Sequence, residues 1–193
     1  MKKLFTLLTI ALSLFMVSCD EDVDKAVMLS GQWRGDFGAC IEYGSRKFYA
    51  DYSDVVFYPS SNYSTHGTGR QVNFYDTYDN PPVPFTYEDF LWEINNGRIY
   101  LTYPGNPELD AIIDDYYMNN NYFSGVMNSN FWVNTSFKLY KISGYYDWDY
   151  YEDNYSSYYY AKSRSVKQNA DSTVVDNAPS EIRVIREFKN KQK

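Results

Sequence analysis

The sequence predicts an all-β protein, an eight-stranded antiparallel up-and-down barrel over residues 29–142, between an N-terminal signal peptide and a low-complexity C-terminal tail. Three observations carry that expectation. From Leu29 to Ile142, segments rich in Tyr, Phe, Val, Ile and Thr recur between Asn, Gly, Pro and Asp, the pattern of short strands and turns. Phe90, Trp92 and Ile94 alternate onto one face before Asn95-Asn96-Gly97, whose Asn-Gly supplies the positive φ of a tight hairpin turn, and Ile99 to Thr102 returns. Eight such segments suffice to close a sheet on itself and remove its edges.

The chain opens with Lys2 and Lys3, an apolar stretch from Leu4 to Val17 and then Ser18-Cys19, the order of a secretory signal. The apolar stretch is shorter than the ~20 residues of a spanning helix. Met16-Val17-Ser18-Cys19 resembles a bacterial lipobox, with Met in place of the commoner Leu. That resemblance implies a lipoprotein signal peptide over residues 1–18 and a mature chain held to the membrane by Cys19, acylated with palmitate or a related fatty acid. Residues 19–28 then read as an acidic linker, since clustered like charges repel and stay extended. Its run Asp20-Glu21-Asp22 resembles the acidic export signal of lipoproteins displayed at the cell surface of Gram-negative bacteria. Aspartate beside the cysteine is elsewhere a retention signal, but the full run favours the outer membrane and its outer face, with the periplasmic face as the alternative.

The eight predicted strands are Gly31 to Phe37, Lys47 to Tyr58, Tyr63 to Tyr75, Tyr87 to Asn95, Arg98 to Tyr103, Leu109 to Asn119, Tyr122 to Asn128 and Phe131 to Ile142. Leu109 to Asn119 also fits helical spacing, with Asn106-Pro107-Glu108 as a helix start. It is assigned as a strand because Asn119-Asn120-Asn121 returns the chain through Tyr122 to Met127. The Asp76 to Pro84 connection, with Pro81, Pro82 and Pro84, is long enough for a lid or rim. Gly67 and Gly69 suggest a bulge or bend.

From Gly144 to Tyr160 eight of seventeen residues are Tyr, four are carboxylates and none is aliphatic; from Ala161 to Lys193 eight basic side chains outnumber four acidic ones. Residues 143–193 therefore read as a flexible extension with too little aliphatic content for a second core, within which Glu181 to Phe188 fits either a short strand or a helical turn.

Composition excludes more than it names. The net charge of −7 becomes −9 once Lys2 and Lys3 are removed, which argues against nucleic acid as a partner. One His and two Cys leave no multi-His or Cys-rich metal site, and an acylated Cys19 leaves Cys40 without a disulfide partner. No nucleophile elbow, zincin or phosphate-loop motif is present, and His66 has no orienting neighbour in sequence. Glu88, Asp89, Glu93, Asp110, Asp114 and Asp115 are enough carboxylates for a glycosidase pair, whose separation sequence does not give. Asp147, Asp149, Glu152 and Asp153 lack the Gly and final Glu of a calcium loop. No catalytic residue, metal or cofactor is expected.

Gly31-Gln32-Trp33 at the first strand resembles the G-x-W of lipocalin and calycin barrels. The run through Trp92-Glu93-Ile94 and Ile99-Tyr100-Leu101, Tyr122-Phe123-Ser124-Gly125 and the closing Phe137-Lys138-Leu139-Tyr140-Lys141 are similar to the lipocalin-like domains of small bacterial surface lipoproteins. The resemblance implies a lipocalin-like fold with Gly31, Trp33 and Trp92 as barrel-motif residues. The Thr-Asp-Tyr loop and late Arg of true lipocalins are absent, so that family's ligand classes do not carry over. The expected function is a non-enzymatic binding module taking a small amphipathic or apolar ligand within the barrel. The alternative is a structural or interaction protein whose Tyr-rich tail and loops contact glycan or a protein partner.

Overall fold

The computed structural model describes residues 21–129, 134–155 and 182–187. Its strands are β1 (Gly31–Asp36), β2 (Ala39–Tyr43), β3 (Arg46–Tyr49), β4 (Tyr52–Pro59), β5 (His66–Phe74), β6 (Phe85–Asn95), β7 (Arg98–Thr102), β8 (Ala111–Met118), β9 (Tyr122–Asn128), β10 (Thr135–Ile142) and β11 (Ile182–Arg186). Eight of them close an antiparallel barrel in the order β1-β10-β9-β8-β7-β6-β5-β4, with β1 pairing both β10 and β4. The lipocalin-like, up-and-down arrangement expected from the sequence is the one observed. The predicted second strand divides at Ala50-Asp51 into β3 and β4, and the hairpin β2–β3 leaves the barrel wall to form a separate sheet in the order β11-β2-β3.

Local chemistry accounts for most of the wall. In β6 the inward positions Phe90, Trp92 and Ile94 are buried while Leu91, Glu93 and Asn95 face out, and Asn96 and Gly97 take the positive φ their turn requires. Both signals in the ambiguous stretch are expressed: Pro107–Leu109 forms one 3₁₀ turn, and Ala111–Met118 is a strand paired with β9. The bulge lies in β8 between Ile113 and Asp115 rather than at Gly67 and Gly69. Those two glycines sit in unbroken register between β4 and β6. A Cβ on Gly69 would lie 2.1 Å from Phe90 Cζ, so Gly69 clears space for that ring; one on Gly67 would lie 1.9 Å from the Tyr58 carbonyl oxygen and 2.9 Å from Trp92 Nε1, so Gly67 permits the close approach of the β4 main chain.

Both ends of the barrel are closed by segments expected to be extended or mobile. Residues 21–29 are helical (α1), a correction to the acidic linker. Asp22, Ala26 and Leu29 fall on one buried face at helical spacing, and Glu21 pairs with Lys25 one turn on at 2.8 Å. The described part of the tail is also ordered against the barrel, correcting the expected flexible extension for those residues. Residues 148–155 are helical (α2), with Asp147 Oδ1 accepting the Tyr150 N–H at the helix start. Trp148, with Tyr146, Tyr151 and Tyr155, covers Val56, Val72 and Tyr87 on the outside of β4–β6. Aromatic rings here supply the apolar cover that aliphatic side chains supply elsewhere.

Candidate functional site: a plugged barrel mouth and an aromatic outer face

At the α1 end, Gly31, with φ of +108°, turns the chain from α1 into β1 in a conformation that favours glycine. Trp33 is fully buried, donates from Nε1 to the Leu29 carbonyl at 2.7 Å, and meets Phe123 edge-on. Lys141 lies 4.9 Å over its ring and donates to the Met28 carbonyl; burial pulls the Lys141 ammonium below its ordinary pKa. Trp92 donates to the Thr68 carbonyl at 2.9 Å. Gly31 and Trp33 thus help close one end, and Trp92 braces the wall. Asp22 of the expected export run accepts the Asn96 and Gly97 N–H groups of the β6–β7 turn, both at 2.8 Å, while Glu21 stays exposed. Cys19 and Asp20 lie outside the described residues.

The opposite end is the mouth. Inward side chains below it, among them Val55, Phe57, Phe90, Ile99, Leu101, Ile113, Phe123, Phe137 and Leu139, are 0–3% exposed, so the axis of the barrel is filled with side chains at these positions. Nearer the rim the lining turns polar. Ser53 and Gln71 donate to Asn73 Oδ1 at 2.7 and 2.6 Å, Asn73 Nδ2 donates to Thr86, and Tyr75 meets Thr86 at 3.2 Å. Each of these buried side chains has a hydrogen-bond partner.

Over this rim lies β11, paired through Ile182 to Arg186 with β2. Arg186 is fully buried. Its Nε donates to the Leu109 carbonyl at 2.8 Å, Nη1 to the Phe37 carbonyl at 2.9 Å and Nη2 to the Tyr103 hydroxyl at 2.6 Å, which in turn donates to Gln71 Oε1. Its guanidinium also lies 4.8 Å from the Phe37 ring and 5.1 Å from the Tyr103 ring. Burial pushes the Tyr103 hydroxyl up to about 12 despite the adjacent guanidinium. Glu88 also points inward here, and burial pushes its carboxyl up to about 7, against the opposing pull of Asn106 and Arg186. The Asp76 to Pro84 connection forms the expected rim, with Val83 and Tyr75 packed on Ile41 and Phe48 of the β2–β3 hairpin.

Several other residues singled out in the sequence have structural partners. His66 is exposed beside Ser64 Oγ at 3.3 Å. Asp110 accepts the Tyr103 N–H, Asp114 accepts from Asn128, and Asp89 and Glu93 face outward from β6. Arg70 lies 2.8 Å from Asp149, 3.5 Å from Glu152 and 3.7 Å from Asp89, so two of the tail carboxylates share one cation with a carboxylate of the barrel wall. Cys40 is buried in β2, and desolvation pushes its thiol up to about 12.

Outside, on three adjacent strands, Tyr117, Tyr122 and Tyr140 form one row with ring centroids 6.2 and 5.2 Å apart. Tyr117 is 61% and Tyr140 55% exposed, an accessible aromatic surface. Ser124 and Lys138 are paired in the neighbouring register position.

Compared with family models, curated proteins and solved structures, the chain matches none of them. Among the described residues no helix is long and apolar enough to cross a membrane. The site residues that sequence reading missed, Arg186 and Tyr103 above all, carry no motif. Of the two alternatives for Glu181 to Phe188, the strand is the one observed, as β11.

Proposed function

We propose that this chain is an outer-membrane lipoprotein, anchored through Cys19 with Asp20, Glu21 and Asp22 in its export signal, whose lipocalin-like barrel is a non-enzymatic binding module working through its outer surface. One observation carries the choice of surface over interior: the axis is filled by side chains and both ends are covered, by α1 and by β11 with Arg186. The row Tyr117, Tyr122 and Tyr140 supplies the contact face, since tyrosine combines ring area with a hydroxyl and suits glycan and protein surfaces. Replacing the three by Ser leaves the inward positions untouched. It should abolish binding of the purified protein to intact cells or glycan arrays while circular dichroism stays unchanged; undiminished binding would sink this reading. For the anchor, a Cys19→Ser chain that still incorporates labelled fatty acid would refute lipidation.

A ligand held inside the barrel is the second reading, favoured by the polar rim of Ser53, Gln71, Asn73, Thr86 and Glu88 beneath β11. It requires β11 to leave. Native mass spectrometry of the protein purified from its own membrane should then show a bound species.

A further inference from the structure

The strand β11 meets the barrel as a peptide meets its receptor. Its main chain extends an existing sheet, since Ile182 to Arg186 pair residue for residue with Tyr43 to Ala39 and the Glu187 N–H reaches the Gly38 carbonyl. Asn106 Nδ2 holds the Val184 carbonyl on the other side at 2.8 Å. Its side chains add selectivity at two places. Arg183 reaches Glu42 at 3.0 Å and Glu108 at 2.6 Å. Arg186 fills a cage made of two carbonyl oxygens, one hydroxyl and two ring faces, with the Glu88 carboxyl near enough to feel its charge. Backbone pairing for affinity and side-chain pockets for specificity are the ingredients of strand addition. The three oxygens around Arg186 match the fork of a guanidinium, which a lysine ammonium, a point charge on a flexible stem, does not reproduce.

We propose that the β2 edge, the Phe37–Tyr103 cage and the Glu42 and Glu108 carboxylates form a receptor site for an extended, arginine-bearing segment of a partner protein, with residues 182–187 as its built-in occupant. Charge complementarity selects that partner: the groove presents carboxylates and carbonyls, and the occupant presents two arginines around an apolar pair. The cis segment competes at the high effective concentration of a tethered ligand, so a partner strand enters only when it is abundant or when the tethered strand is weakened. The site is separate from the tyrosine row and from the anchor, so it stands or falls independently of the proposed function.

The test uses the full chain carrying Arg186→Ala and a fluorescent peptide with the sequence of residues 181–188. Anisotropy should show saturable binding at least tenfold tighter than for peptides carrying lysine or citrulline in place of Arg186, and at least tenfold tighter than to the unmodified chain. Equal binding of the three peptides, or binding of none, overturns the proposal. A second arm keeps Arg186 and does not depend on the folding of that variant. Ile185 is paired with Cys40 in the hydrogen-bonded register, where Cα atoms lie about 5.5 Å apart, a separation that a disulfide spans. In a Cys19→Ser background, oxidised Ile185→Cys chain should remain monomeric and lose the peptide binding that its reduced form shows; binding unchanged by oxidation overturns the proposal. A covalent dimer instead would place a second copy of this chain in the groove and overturn the assignment of the partner.

Discussion

Glu88 provides a quantitative test of the mouth. Its carboxyl points inward from β6 and burial raises it from 4.5 to about 7, so the folded chain holds a proton that the unfolded chain releases between those values. The folded state therefore binds more protons than the unfolded one across that window, and Glu88 costs stability as pH rises from about 4.5 to about 7. At ~1.36 kcal/mol per pH unit, the full cost above pH 7 is about 3 kcal/mol. Glu88→Gln removes the titration while keeping an oxygen to accept from Asn106. In urea denaturation the variant should match the parent near pH 4.5 and exceed it by about 3 kcal/mol at pH 8, a midpoint shift of roughly 1–2 M. The comparison between the two proteins cancels the carboxylates that act in the opposite sense, such as Glu21, whose pKa Lys25 lowers. A stability difference that is constant from pH 4 to pH 8 would refute the assignment of a buried, proton-holding carboxyl at this position.

Three further outcomes follow from named contacts. Gly69→Ala places a methyl 2.1 Å from Phe90 Cζ and should lower stability by about 1–3 kcal/mol, measured by thermal melting, with the loss reduced when Phe90 is also replaced by Leu. Asp22→Ala strips the acceptor from two turn N–H groups and should cost about 1–3 kcal/mol, with faster amide exchange at Asn96 and Gly97 and at no other β6 amide. In a Cys19→Ser background, Cys40 should resist thiol reagents at pH 8, because the thiol is buried and pushed up to about 12, and Arg186→Ala should speed its modification by loosening β11. Equal Cys40 rates in the two proteins would show that Arg186 does not hold the strand down.

The wall of the barrel was legible because its determinants are local. Alternation placed Phe90, Trp92 and Ile94 on one face, and Asn-Gly set the turn that fixes their register with β7. Where the structure departs from the local pattern, contacts distant in sequence are the cause. Mutual repulsion among carboxylates 20 to 24 favours an extended linker, yet Asp22 has two N–H partners more than seventy positions away in sequence. Residues 144–155 lack aliphatic side chains and so read as part of a flexible extension, but Trp148 and Tyr151 find their apolar partners on strands β4 to β6. Gly67 and Gly69 suggest a bulge or bend, but Gly69 makes room for the Phe90 ring of β6 and Gly67 for the Tyr58 carbonyl of β4.

What the sequence by itself determined is the fold class: eight half-buried strands with turns between them, encoded in period-two patterns and turn residues that act over a few positions. What only the tertiary structure decided is how the barrel ends are closed, and therefore which surface is left to work. Arg186 is compatible with solvent in any sequence reading, because a guanidinium is ordinarily exposed. It becomes a buried plug only where folding brings the Phe37 and Leu109 carbonyls and the Tyr103 hydroxyl to one point at the mouth, from three segments that share no sequence pattern.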